Sequence, residues 1–155
     1  MKNEIILKTG NTSLLCEIGE LWEELNQIHM EKSLYFVNHY KTLTFEARAQ
    51  SLLAKAEKGK LFIAVAYHEE IKIGYCVSSI VDDIGEIESI FIKPDYRSMH
   101  IGHMLMDKAV EWINSHYAKN VEIAVSIGNE EVFGFYEIFG FKPRLTVLQL
   151  GSDQL

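Results

Sequence analysis

Arg97 opens a six-residue loop, Arg97-Ser98-Met99-His100-Ile101-Gly102, set between an apolar run and a helical pattern. Residues of these types in this place suit an anion. A loop that feeds a helix N-terminus points free backbone N–H groups outward, and the helix dipole adds partial positive charge there. Such an end accepts a phosphate or pyrophosphate. Arg97 can add a bidentate cation, and His103, just after Gly102, brings a further backbone N–H to the helix start. Upstream, Glu86 and Glu88 stand two apart, so on a strand both face one side, with Ile90 and Ile92 continuing that face. A glutamate on a central strand must be satisfied or near solvent. Partial burial raises a carboxyl pKa toward neutrality, which suits a base acting through water; the plainer reading puts one or both at the solvated end of the strand. Tyr136 lies among Phe133, Phe135, Phe139 and Phe141. A phenol with an ordinary pKa of about 10 can give a proton to a departing group, or simply pack in that cluster.

These side chains depend on the elements that carry them. Residues 4–8 read as a first strand, ended by Thr9-Gly10-Asn11. Asn11, Thr12 and Ser13 are N-cap candidates for a helix over 14–30, where Leu14, Leu15, Ile18, Leu21, Trp22, Leu25 and Ile28 recur at helical spacing. A less regular segment comes next. Thr44 then caps a helix that ends near Gly59. Strands are expected over 61–67, 71–80 and 84–92, joined by turns at His68-Glu69-Glu70 and Asp82-Asp83. Lys93-Pro94-Asp95 stops the third of them, because proline lacks the ladder donor. A helix over 101–117, a strand over 121–126, a helix over 129–139 and a strand over 141–150 complete the chain. The order β-α-α-β-β-β-α-β-α-β implies an α/β fold with a mixed, mainly antiparallel central sheet flanked by helices. It differs from the repeated βα units of a Rossmann sheet.

Composition narrows the function classes. At 155 residues the chain reads as one domain over 1–150 with a loose tail at 151–155. The formal charge of −7 disfavours nucleic acid as a partner; it suits a cationic acceptor such as an amine, or serves solubility alone. No apolar run approaches the about 20 residues that span a bilayer. The opening MKNEIILKTGN lacks the apolar core of a secretory signal, so a cytoplasmic location is the default. Cys16 and Cys76 show no ligand spacing and read as small buried hydrophobes. The six histidines show no zinc-helix pattern, so no metal site is expected. A third reading, a nucleotide-binding enzyme of P-loop type, is opposed by the missing Gly-Lys-Ser/Thr.

The run Arg97-x-x-x-x-Gly102 between a strand and a long helix resembles the acetyl-CoA loop of the GNAT (GCN5-related N-acetyltransferase) superfamily, usually Gln/Arg-x-x-Gly-x-Gly/Ala. A second segment agrees: NEEVFGFYEIFGF places Asn129, Tyr136, Gly140 and Phe141 in the family's order. One position departs, since the loop's first glycine is His100 here. Glycine adopts φ > 0 freely, and histidine visits that region more often than most residues.

The resemblance covers nearly the whole chain and implies an acyl-CoA N-acyltransferase architecture. It implies an acetyltransferase that moves an acetyl group from acetyl-CoA to a primary amine by direct attack in a ternary complex, with no metal. Acetyl-CoA would lie along Ile90, Phe91 and Ile92, paired like an added strand. Its pyrophosphate would be held by Arg97, Ser98, Met99, His100, Ile101, Gly102 and His103. Asn129 would approach the pantetheine as well as cap its helix, and Tyr136 would be the general acid for the CoA thiolate. A glutamate on the strand often serves as base, with Glu88 the better match and Glu86 beside it. Gly134, inside a helix, points to close packing or ligand approach. The acceptor, a small-molecule or protein amine, would meet the first two helices and the segment between them (about residues 22–45), with Tyr35, Phe36, His39 and Tyr40 as candidate walls. Many relatives pair as homodimers. The alternative within the same fold is an acyl-CoA-binding sensor or interaction protein with weakened catalysis, for which His100 is the sequence support.

Overall fold

The apolar runs of the middle of the chain pair into one sheet. The computed structural model describes residues 4–151. Its strands are β1 (Ile5–Gly10), β2 (Lys60–His68), β3 (Ile71–Val81), β4 (Ile84–Ile92) and β5 (Asn120–Ile123), hydrogen-bonded in sequence order. The first three pairings are antiparallel, and β4–β5 is parallel. The turn after β3 puts Asp82 and Asp83 at φ 50° and 65°. Two successive left-handed residues make the turn whose twist matches its flanking strands.

The helices are α1 (Leu15–Lys32), α2 (Val37–Thr42), α3 (Phe45–Lys58), α4 (Ile101–Ser115) and α5 (Phe133–Ile138). The Thr44 side chain accepts from Ala47 N–H and starts α3, as its sequence position predicts. Ile101, Leu105, Met106, Ala109 and Ile113 form one fully buried stripe on α4, at the spacing of one helix face. Burying each large side chain of this kind contributes about 1.5–3 kcal/mol before entropy is counted. Gly85 of β4 faces α4, since a side chain there would meet Ile113. Its neighbour Glu86 pairs with Lys55 of α3. Consecutive strand residues point to opposite faces, so α3 and α4 cover opposite faces of the sheet.

The described residues group into two compact units. One holds the chain up to Glu24 together with Thr44–Ala124, and contains the sheet, α3 and α4. The other holds Leu25–Leu43 and the chain from Val125 on. Within it, Tyr40 OH donates to Ser126 Oγ at 2.7 Å, and Asn26 Nδ2 donates to the Tyr40 carbonyl at 2.8 Å.

Several sequence expectations need correction. The irregular segment after α1 contains the short helix α2. The expected helix over 129–139 is a 3-10 turn at Glu130–Val132 followed by α5. No strand forms over 141–150 among the described residues. Its apolar residues stay open to solvent, Val147, Leu148 and Leu150 each more than three-quarters so. Alternating residues make a strand only where a ladder receives them; here Gly140, at φ 93°, ends α5 and Pro143 lacks a donor. The expected tail lies almost wholly outside the described residues. Cys16 is exposed rather than buried, because it sits on the outer side of α1. Cys76 is buried, and burial pushes its thiol up to about 12. Among the described residues, no helix is long and apolar enough to cross a membrane.

Candidate functional site

The centre of β4 is irregular. Ile87 faces Ser78 of β3 and Ser89 faces Val77, so the register skips Glu88. One extra residue on one strand is a β-bulge, which bends the strand and re-aims the residues beyond it. Directly opposed residues share a face. Ile90 and Ile92 oppose Cys76 and Gly74, which alternate onto the same side as Ser78 and Ile87. The two isoleucines therefore turn to the α4 side, and do not continue the Glu86–Glu88 face as strict alternation predicts. The period of two fails at the bulge.

The bulge also marks where the other edge of β4 opens. The ladder with β5 ends at Ile87–Ile123. Among the described residues no strand continues along that edge, so residues 89–92 present a row of N–H and C=O groups that an extended ligand can pair with.

The loop comes directly after. A 3-10 turn at Pro94–Tyr96 ends β4, and His68 Nδ1 meets Tyr96 OH at 2.9 Å, tying that turn to the end of β2. Arg97 Nε donates to the Ile92 carbonyl at 3.1 Å, with its guanidinium 5.7 Å from the Phe91 ring centroid. Phe91 itself is buried. Ser98, Met99 and His100 are exposed. His100 has φ 59° and ψ 19°, the left-handed conformation, and stands immediately before α4 with no side-chain capping bond. Met104 N–H closes the first helical turn on the His100 carbonyl at 3.1 Å. Ile101 and Gly102 fall in the turn before it, where no i−4 carbonyl is available to an N–H. The His100 and His103 rings meet edge-on, 5.5 Å between centroids. A histidine therefore holds the backbone shape that glycine ordinarily supplies, and the residues present fit a pyrophosphate at this helix end.

Glu88 is the best-held side chain here. Its carboxylate is 1% exposed. Arg48 Nη2 donates to Oε1 at 3.2 Å, while Lys55 Nζ and Ser79 Oγ donate to Oε2 at 2.5 and 2.6 Å. Lys55 also reaches Glu86 Oε1 at 3.1 Å, and the Glu86 side chain is 29% exposed. Burial by itself would lower the Lys55 ammonium, but the two glutamates outweigh it and hold it above its ordinary value. Sequence reasoning finds the two carboxylates and misses their partners. Arg48 and Lys55 lie seven apart on α3, two turns on one face, which is the signal available in the sequence.

In the second unit, Asn129 precedes the 3-10 turn but makes no side-chain capping bond. Its Oδ1 accepts from Lys32 Nζ at 3.3 Å, and Lys32 also pairs with Glu131. The expected side-chain cap is absent, and that oxygen faces the lysine instead. Tyr136 lies on α5, half-buried, its ring 5.4 Å from Phe135 and 6.3 Å from Phe141. A side chain at Gly134 would meet nothing within 4 Å, so close packing does not explain that glycine. Of the residues expected around an acceptor, Tyr35 is exposed, and the Tyr40 ring meets His29 at a tilt and His39 edge-on. Trp22, in the first unit, is buried against Phe45 and belongs to the core.

Known proteins share this fold. The sequence profile of the Acetyltransferase (GNAT) family matches residues 22–141. A Bacillus subtilis (strain 168) protein, provisionally named a ribosomal protein bS18 alanine N-acetyltransferase, is 37% identical over 70 residues. That stretch is 45% of this chain and 46% of the relative, so the chain aligns with under half of that protein's length. Among solved structures, a provisionally named acetyl transferase from Pyrococcus furiosus superposes with a TM-score of 0.71 at 25% identity, covering 94% of this chain and 98% of that one. The PaiA N-acetyltransferase from Thermoplasma acidophilum, solved with coenzyme A, superposes with a TM-score of 0.74 at 18% identity, covering 93% of each chain.

Proposed function

The chain belongs to the GNAT acetyltransferase family, and on that premise we propose that it transfers an acetyl group from acetyl-CoA to a primary amine by direct attack in a ternary complex. The observation that carries this reading is the left-handed His100 at the start of α4, directly downstream of a strand edge that is open past its bulge. Residues 90–92 would hold the donor's extended arm, and Arg97 to His103 its pyrophosphate. Bound there, acetyl-CoA supplies an activated thioester carbonyl and a thiolate leaving group. The remaining chemistry falls to side chains. An ammonium has no lone pair, so the acceptor must lose a proton. Glu86, the more exposed of the pair, receives it through water, and Glu88, paired with Arg48 and Lys55, stays charged behind it. Tyr136 Oη gives up the proton that the departing sulfur takes. Small amines and protein amines both meet these requirements; the B. subtilis relative's name favours a protein N-terminus as the first acceptor to try.

The test is a thermal shift with acetyl-CoA, against CoA and ATP. A ligand at 100 times its Kd stabilises the native state by about 2.7 kcal/mol, a rise of roughly 5–10 °C for a chain of this size. A rise with acetyl-CoA and CoA but not ATP, followed by thiol release with an amine, is the expected result. No rise at millimolar ligand overturns the reading. Binding without transfer to any amine supports the alternative, a donor-binding protein that has lost turnover.

A further inference from the structure

Arg48 belongs to α3 and is far in sequence from the loop, yet its Nη2 donates twice to one residue of β4. It reaches the Glu88 carbonyl at 3.0 Å and Glu88 Oε1 at 3.2 Å. Glu88 is the bulged residue. A bulge puts one residue outside the regular ladder, and its backbone groups must find partners elsewhere. Arg48 brings a charged donor to that carbonyl, and charge-assisted bonds are about twice as strong as neutral ones. Lys55 and Ser79 fix the other carboxylate oxygen. The bulge is thus held at its carbonyl and at both side-chain oxygens. Everything that distinguishes the second half of β4 begins at this residue. The ladder with β5 stops one residue before it, and the side chains change faces across it.

We propose that Arg48 is a positioning residue for the acyl donor: it clamps the Glu88 bulge and thereby aims the open edge of residues 89–92. The inference rests on the reading of that edge as the donor site. Arg48 touches no donor atom and acts through Glu88. Lysine at this position keeps the positive charge but loses the planar, fixed reach of the guanidinium. Carboxylate neutralisation survives such a change, and the grip on the carbonyl does not.

The experiment titrates CoA by calorimetry into the full chain as wild type, as Arg48→Lys and as the double variant Arg48→Met/Glu88→Gln. The melting temperature without ligand and the kinetics of acetyl transfer are measured alongside. Arg48→Met alone would strip a cation from a buried carboxylate and endanger folding, which is why the double variant replaces both charges together. Arg48→Lys is expected to bind CoA about tenfold more weakly, equivalent to about 1.4 kcal/mol, with the ligand-free melting temperature within about 2 °C of wild type. KM for acetyl-CoA should rise in step while kcat stays within about twofold. The double variant should lose CoA affinity likewise. Wild-type affinity in either variant overturns the proposal, as does a fall in melting temperature and kcat with CoA affinity unchanged. A wild-type chain that binds no CoA overturns the donor-site reading itself, a separate and earlier failure.

Discussion

His100 is the residue at which side-chain identity and backbone demand diverge. The left-handed region costs an ordinary L-residue roughly 1–2 kcal/mol, and histidine is among the few that enter it with some frequency. His100→Gly should therefore leave the melting temperature within about 2–3 °C, relief of strain offsetting the added freedom of the unfolded chain. His100→Val, β-branched and poorly suited to φ 59°, should lower both the melting temperature and CoA affinity. Equal affinities for CoA in the two variants would dissociate the loop's conformation from ligand binding. Tyr136 is judged by kinetics. If its phenol protonates the leaving sulfur, Tyr136→Phe lowers kcat by about 100-fold or more while KM for acetyl-CoA changes little; an unchanged kcat removes it from that role. Both positions are legible in the sequence because each lies in a short local motif, Arg97 to Gly102 and Phe135 to Phe141. Glu88 is legible only as a carboxylate. That two cations would converge on it depends on α3 crossing one face of the sheet, and that the Ser79 hydroxyl reaches it depends on the β3–β4 register; no neighbouring residue encodes either.

At the scale of elements, β4 and α5 make opposite points. The sequence places β4 at Ile84–Ile92 without error, since a β-rich run bounded by Asp82-Asp83 and Lys93-Pro94 has one local solution. It cannot place the bulge inside that run, because a bulge is a property of two strands in register, and the partner's register is set elsewhere. Helix α5 is shorter than its pattern, at Phe133–Ile138. Gly134 is exposed on it, with open space where a side chain would go. Gly134→Ala should raise stability by about 0.5–1 kcal/mol, the helix propensity difference, read as a higher denaturation midpoint at unchanged m-value. The same variant also tests ligand approach: a stabilised chain with weakened CoA binding would show that the open space is used by the donor. The alternating residues of 141–150 predict a strand, and the sheet does not receive them.

For the whole molecule, the titration of His29 links pH to folding. Burial holds its imidazole below the ordinary value, and Lys32 adds to the effect. The folded chain therefore prefers the neutral ring, while the unfolded chain takes up a proton near pH 6.5. The stability this contributes is present above that pH and is lost as the pH falls toward the lowered folded value. Urea midpoints should be higher at pH 7.5 than at pH 5.5, and His29→Gln should narrow the difference. An undiminished difference in the variant would assign the pH dependence to other groups. Neither the direction of this shift nor its cause is visible in the sequence, where His29 is one of six histidines; burial alone singles it out.

Local chemistry is what the order of residues is enough to specify. Proline ends β4, paired aspartates turn β3 back, Thr44 caps α3, and Arg97 to Gly102 joins a strand to a helix start with a length and composition suited to an anion. These features arise from dihedral preference, missing donors and capping groups, each acting within a few residues. It took the folded chain to establish that Glu88 is bulged and clamped by Arg48, that Ile90 and Ile92 turn toward α4, and that the β4–β5 ladder stops at Ile87. Those outcomes are fixed by which distant groups supply hydrogen bonds and charges to one another. Such pairing is settled by packing, across dozens of residues of chain.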